Sequence, residues 1–112
     1  MQRAGAHVDP HALARRVLDY CRKDLGLPIS MTICFCPTEG SWGVVFEDSP
    51  KTLHLSTRLR DEPHLQRQLI ETVGHEARHA RFILSGRTEY DHYAERTATD
   101  YGRSVAASWS TW

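Results

Sequence analysis

The 112-residue sequence has no excess of either charge, because 14 lysines and arginines balance 14 aspartates and glutamates. No basic run approaches the density of a nucleic-acid-binding arm, so we expect no nucleic-acid partner. The sequence also has no apolar run long enough to span a membrane, and Met1–Pro10 lacks the hydrophobic stretch of a secretory signal. These absences predict a cytoplasmic protein with no membrane partner.

Cysteine is scarce, and the odd number of three fits reduced thiols better than a disulfide framework. Cys34 and Cys36 could be read as thiolate ligands, but alternate residues of a strand share one face, and hydrophobic packing beside Phe35 is the favoured interpretation. Neither repeats nor low-complexity stretches occur. With 40% hydrophobic residues, the chain can bury one core, and we predict that residues 1–112 form a single domain.

The front half of the chain has one helical pattern followed by three strand patterns. A helix is predicted from Asp9-Pro10 to Gly26, with the apolar positions Leu13, Val17, Cys21 and Leu25 at helical spacing. Strands are predicted at residues 29–36, 42–46 and 52–56. Together with two later helices, this order predicts an α+β fold with a small, mostly antiparallel three-stranded sheet.

The most informative segment is His75-Glu76-Ala77-Arg78-His79, in which two histidines four residues apart enclose a glutamate. On a helix, residues at this spacing lie on one face with Cβ atoms roughly 5–6 Å apart, so both imidazoles can bind one metal ion. Glu76 lies one step round the helix, where it can act as a general base on a zinc-activated water without being a ligand. The sequence therefore predicts Zn²⁺ on His75 and His79, with Glu76 as the catalytic residue.

The helix that carries this motif has recognisable ends. Pro63 suits a first helical residue and Ser85-Gly86 suits a stop, which predicts a helix of about 22 residues. Gly74 lies inside it at a cost of about 1 kcal/mol relative to alanine, which close approach of a neighbouring segment would explain. One apolar stripe borders the two histidines and comprises Leu69, Val73, Ala77, Ala80 and Leu84.

A catalytic zinc site needs a third protein ligand and an open fourth position. Residues 91–107 have helical periodicity, and Glu95 borders the apolar stripe of that helix, which comprises Ala94, Ala98, Tyr101 and Val105. An antiparallel helix pair, joined by a turn at residues 85–88, would bring Glu95 to the histidines. Glu95 is therefore the predicted third ligand, ahead of His92, Asp100 and Glu89.

His75-Glu-Ala-Arg-His79, followed by Glu95-Arg-Thr-Ala98, resembles the gluzincin branch of the zincin metallopeptidases. The sequence looks most like the minigluzincins and the selecase-type minimal metallopeptidases, over about residues 52–102. The resemblance implies a zinc-dependent endopeptidase whose third ligand is Glu95. In many such enzymes an acidic residue or asparagine four positions after the ligand glutamate supports a ligand histidine, and Thr99 stands there in this sequence.

Three alternatives remain open at this point. Leu53-His-Leu-Ser56 is similar to SprT-like proteases, which usually take a third histidine and so favour His92. The pattern is also similar to the peptidase domain of phage-repressor-cleaving regulators, which implies a peptidase specific for one regulator. The third alternative is a non-catalytic zinc-stabilised regulatory or binding module, in which His92 joins Glu95 and closes the fourth position.

The expected substrate is a peptide or protein bound as an extended strand. Such a chain can add to a sheet edge through main-chain hydrogen bonds, and Thr52–Ser56 is the predicted edge. A donor for the oxyanion is expected at the cleft wall, and the candidates are His92, Tyr93, Tyr90 and Tyr101. The resemblance also implies a latent state through the C-terminal tail or self-association, with Trp109 and Trp112 as anchors that fill the cleft.

Overall fold

The computed structural model describes residues 8–86 and 92–109. In chain order, the elements are helix α1 (Pro10–Leu25), strands β1 (Thr32–Cys36), β2 (Gly43–Phe46) and β3 (Ser49–Ser56), a short helix α2 (Thr57–Asp61), a single 3-10 turn (Pro63–Leu65), the long helix α3 (Gln66–Leu84) and helix α4 (His92–Ser108). This order confirms the predicted α+β class. None of the helices in the described ranges is both long enough and apolar enough to cross a bilayer.

Helix α1 begins and ends where the sequence predicts. The Asp9 side chain accepts a hydrogen bond from the backbone N–H of His11 at 3.0 Å, and Pro10 is the first helical residue. Gly26 ends the helix in the left-handed conformation, at φ 71°. The inward face is buried as expected at Leu13, Val17 and Cys21.

The sheet has the strand order β1-β3-β2, so β3 is its central strand. β1 runs parallel to β3, whereas β2 runs antiparallel to it. The sheet is therefore mixed rather than mostly antiparallel, and the prediction that Thr52–Ser56 forms an edge is wrong. β1 pairs with the side of β3 that the β2–β3 hairpin leaves free, so both sides of β3 are hydrogen-bonded. The edges are β1 and β2.

One face of the sheet packs against α1 and α3. Leu53 and Leu55 of β3 are fully buried, and Ile33 and Phe35 of β1 pack against the same core. The helix α3 contributes Leu69, Ile70, Val73, Ala77 and Ala80. Its last turn departs from the predicted stripe, since Leu84 is 37% exposed and Ile83 is buried in its place. The residues three and four positions after Ala80 both lie close to the buried face of the helix. Packing at the end of α3 buries the nearer one, Ile83, and leaves Leu84 partly exposed.

Helices α3 and α4 approach each other at two facing glycines. A Cβ added to Gly74 would lie 2.9 Å from the Cα of Gly102. A Cβ added to Gly102 would overlap the carbonyl oxygen of Glu71 and would lie 3.1 Å from the backbone nitrogen of His75. This contact explains the glycine inside α3. It also sets the interhelical distance on which the candidate metal centre depends.

Candidate metal centre

Three ligand-type side chains meet where α3 faces α4. The Nε2 atoms of His75 and His79 are 3.1 Å apart. Glu95 Oε1 lies 2.9 Å from His75 Nε2, and Glu95 Oε2 lies 2.8 Å from His79 Nε2. Around a tetrahedral zinc ion with Zn–N distances of about 2.05 Å, neighbouring ligand atoms are about 3.3 Å apart. The three donors are of the kinds that zinc binds, and their separations of 2.8–3.1 Å lie within about 0.5 Å of that value.

The other candidate ligands are placed differently. Asp100 lies in α4 but is exposed and is not part of the group formed by His75, His79 and Glu95. Glu89 and the side chain of His92 lie outside the described residues. Among the described side chains, Glu95 is thus the predicted third ligand that the fold brings to the two histidines.

A threonine on α4 supports the first histidine. Thr99 Oγ1 lies 3.3 Å from Nδ1 of His75, within hydrogen-bond range of the ring nitrogen that faces away from the ligand group. When Nδ1–H donates to this hydroxyl, the lone pair of Nε2 points at the metal position and the ring is held in orientation. Thr99 therefore occupies, with a neutral hydroxyl, the position where the resemblance implies an acidic residue or asparagine.

Glu76 lies beside the ligand group without joining it. Its carboxylate is 3.9 Å from His75 Nε2, and the residue is buried, with 6% of its surface exposed. Burial, and secondarily the charge of Glu95, raise the pKa of Glu76 to about 8. A cation on the three ligands would favour the carboxylate and lower that pKa. Glu76 is thus a protected carboxyl group that can gain or lose a proton near neutral pH.

The second histidine is suited to bind a metal without first losing a proton. Burial lowers the pKa of His79, and the adjacent His75 lowers it further, while Glu95 acts in the opposite direction. The neutral imidazole is therefore favoured, and it is the form that ligates metal ions.

Strand β2 forms the wall opposite the helices. A Cβ added to Gly43 would lie 2.7 Å from Cγ2 of Thr72 and 3.1 Å from Cγ of Glu76, so glycine allows β2 to lie directly against the candidate base. The cleft between them has a volume of about 600 Å³. Besides the ligand group, its lining includes Trp42, Gly43, Val44, Glu76 and Arg103.

Compared with known proteins, the chain matches no family model, no curated protein and no solved structure. A functional proposal must therefore depend on the geometry and chemistry of the cleft itself.

Two aromatic residues predicted for the cleft lie elsewhere. The Tyr101 hydroxyl donates to Asp24 at 2.8 Å and does not line the cleft, so it is not the oxyanion donor. Trp109 packs edge-on against Tyr20 of α1, with ring centroids 6.0 Å apart, and Arg16 lies over its ring. Trp109 therefore does not fill the cleft of its own chain. The other candidates, Tyr90, the side chain of Tyr93 and Trp112, lie outside the described residues.

The residues that shape the site and were not predicted from the sequence include Gly43, Gly102 and Arg103. Arg103 follows Glu95 and Thr99 at steps of four, so a full helical projection of α4 toward the cleft would have found it. Gly43 and Gly102 matter through contacts with distant segments, and no local pattern indicates such contacts.

Proposed function

We propose that this chain is a zinc-dependent endopeptidase that hydrolyses peptide bonds in the cleft between β2 and α3. The observation that supports this most strongly is the juxtaposition of a three-ligand group with the buried carboxyl group of Glu76. Structural zinc sites usually close the fourth position with a protein ligand. Among the described residues the group has three members, and its Glu95 side chain is 58% exposed toward solvent. All three members and Glu76 line the same cleft, and a ligand group that opens on a cleft with a base beside it favours catalysis over a purely structural role.

In the proposed mechanism, the chain positions a peptide and moves one proton. When bound, zinc acts as a Lewis acid that acidifies water and polarises a carbonyl group. Glu76 accepts the proton lost by the attacking water and then donates it to the leaving amine nitrogen. A cation on the three ligands would keep Glu76 ionised as the base for the first step, and burial, which raises the pKa of Glu76, opposes that effect and so favours the protonated acid needed for the second step.

Arg103 replaces Tyr101 as our candidate donor for the oxyanion. It is a cationic side chain of the cleft lining, and it lies two helical turns after Glu95 on the same face of α4. Negative charge that develops on the carbonyl oxygen would be stabilised by such a donor at the cleft wall.

We assign the substrate-binding edge to β2 in place of β3. β2 is an edge strand of the sheet, and its residues Gly43, Val44 and Val45 line the cleft together with the ligand histidines. An extended peptide or protein segment could add to this edge through main-chain hydrogen bonds, with the reacting carbonyl facing Glu76. Cleavage of a peptide library would distinguish the two substrate classes. Cleavage of many sequences indicates a range of peptides, and cleavage of few or none indicates one dedicated regulator.

Two further parts of the proposal concern regulation and location. Because Trp109 packs on α1, cover of the cleft in a latent state would come from residues 110–112 or from a second copy of the chain. Constant specific activity on dilution would argue against self-association as the means of covering the cleft.

The three free thiols of Cys21, Cys34 and Cys36 fit a reducing compartment, for which we propose the cytosol.

The test combines zinc binding with peptide cleavage. Wild-type protein should cleave casein or a peptide library, lose activity with a chelator and regain it with Zn²⁺. Glu95→Gln should weaken zinc binding at the cleft and abolish cleavage. Asp100→Asn is the matched control, because Asp100 is an exposed acid on the same helix outside the ligand group. Zinc bound at the cleft without cleavage of any peptide would favour the regulatory or binding module.

A further inference from the structure

A second group of ligand-type side chains lies on the face of the sheet turned away from α1 and α3. Cys34 and Cys36 alternate along β1 with Ile33 and Phe35, which pack against the core. His54 of β3 is the direct partner of Cys34 in the parallel register. The two sulfur atoms and one imidazole nitrogen all lie within 4.8 Å of one another.

The spacing inside this group fits a metal ion. Cys36 Sγ lies 3.6 Å from Nδ1 of His54. Around a tetrahedral zinc ion with Zn–S of about 2.3 Å and Zn–N of about 2.05 Å, sulfur and nitrogen ligands are about 3.5–3.6 Å apart. The ring of His54 packs edge-on against Phe46, with centroids 5.0 Å apart, and this contact restricts the orientation of the imidazole.

Hydrophobic packing, the role predicted for the two β1 cysteines, does not describe this group. Cys34 is exposed and Cys36 is only partly buried, whereas Cys21 is buried in the core. A disulfide within the group is disfavoured as well. Residues two apart on a strand have Cα atoms roughly 6.6 Å apart and parallel side chains, at the upper limit of disulfide geometry. Two thiols and an imidazole on one face instead suit a thiophilic metal ion.

We propose that Cys34, Cys36 and His54 bind a second, thiophilic metal ion, Zn²⁺, at a site separate from the cleft. The ion would take two sulfur ligands from β1 and one nitrogen ligand from β3, and the exposed side of the group leaves the fourth position to solvent. Such an ion would join β1 to β3 and stabilise their parallel pairing, since binding to the folded state alone favours folding. This inference does not depend on the proposed peptidase activity.

Cobalt provides the test, because Co²⁺ bound by thiolates gives a sulfur-to-metal charge-transfer band that nitrogen and oxygen ligands do not give. The full chain is reduced, stripped with a chelator and titrated with Co²⁺. Wild type should show the band and bind about two equivalents, one at each three-ligand group. His79→Ala should keep the band and lose about one equivalent.

Substitutions of Cys34, Cys36 or His54 should have the opposite result to His79→Ala. Cys34→Ser, Cys36→Ser and His54→Asn should each weaken or abolish the band and leave the equivalent at the cleft. His64→Asn is the matched control, because His64 is an exposed histidine outside both groups, and it should leave the band unchanged.

A second measurement needs no variant. Zn²⁺ should slow alkylation of Cys34 and Cys36 by at least about tenfold, since coordinated thiolates are poor nucleophiles. Buried Cys21 should react slowly with or without zinc. Three results would overturn the proposal: no sulfur band in reduced wild type at saturating Co²⁺, an undiminished band after Cys34 and Cys36 are both replaced, or equal alkylation with and without zinc.

Discussion

The two ligand groups differ in the elements that carry them and in their surroundings. In the cleft, nitrogen and oxygen donors come from two packed helices, His79 is buried, and Thr99 supports His75 from behind. On the outer face of the sheet, sulfur and nitrogen donors come from neighbouring strands and are exposed or partly buried. The cleft group has the buried acid Glu76 beside it, whereas the outer group includes no carboxylate. Donor chemistry and environment, more than the number of ligands, therefore separate a candidate catalytic centre from a candidate binding site.

The largest effect is expected at Glu76, the buried acid that distinguishes the cleft group from the outer group. We expect Glu76→Gln to lower kcat by about 10²–10⁴-fold while zinc binding at the cleft is kept, because glutamine cannot accept a proton and Glu76 is not a ligand. Peptide cleavage and zinc content are measured on the same preparation. Glu47→Gln is the control, since Glu47 is exposed in the turn after β2, and it should cleave like wild type. Normal turnover by Glu76→Gln would mean that the base lies elsewhere.

The support from Thr99 can be tested by removing only its hydroxyl. Thr99→Val should lower zinc affinity at the cleft about 10–100-fold, since His75 loses the hydrogen bond that orients its ring. Thr99→Ser should recover most of that affinity. Competition against a chromophoric chelator gives the values, in protein whose outer-face cysteines are alkylated so that only the cleft is measured. Equal affinity in the valine and serine variants would argue against an orienting role.

The close contact between α3 and α4 predicts that replacing one of its glycines by alanine lowers the stability of the protein, which is the reverse of the usual effect inside a helix. Gly→Ala inside a helix normally stabilises a protein by about 1 kcal/mol. Gly102→Ala should instead lower the unfolding free energy by about 1–3 kcal/mol, because the new Cβ would overlap the Glu71 carbonyl oxygen. Zinc affinity at the cleft should also fall, since α4 carries Glu95. Denaturant titration measures the stability, and Ser104→Ala, exposed on the same helix, should stay within about 0.5 kcal/mol of wild type. A more stable Gly102→Ala would contradict the close contact.

The smallest change in stability is expected for a Cys→Ser substitution on the outer face of the sheet. The same substitution at the buried Cys21 is its control. In metal-free protein, Cys34→Ser should change the unfolding free energy by less than about 0.5 kcal/mol, because Cys34 is exposed. Cys21→Ser should cost about 1–3 kcal/mol, because it places a hydroxyl in the core. Both values come from denaturant titration with a chelator present. Similar costs at the two positions would show that the outer face is packed.

Much of the cleft could be predicted from the sequence, because three of its central residues are close together in the chain and lie on one helix. Helical geometry fixes the relation of His75, Glu76 and His79 within little more than one turn. Glu95 required the further assumption that α3 and α4 pack antiparallel, and the structure does bring it to the histidines. The resemblance pointed to the position of Thr99 as one that supports a ligand histidine, but whether a threonine there reaches His75 depends on how closely two helices approach.

The sheet shows where prediction from the sequence fails. The three strands were located from their composition and turns, but Thr52–Ser56 was placed at an edge and lies in the centre. Strand order depends on which segments pair across the sheet, and short connections allow more than one order. The same pairing brings His54 beside Cys34, so the sequence offered the two cysteines as possible ligands but not the histidine that joins them.

By itself, the sequence determined the elements and the chemistry within each of them: the ends of α1, and a helix with two imidazoles and a carboxyl group at ligand spacing. Backbone periodicity and capping act over a few residues, so these features follow from the order of amino acids. Only the tertiary structure decided which strand is central, how closely Gly74 and Gly102 allow two helices to pack, and which donors from separate elements meet. Those outcomes depend on packing between segments far apart in the chain.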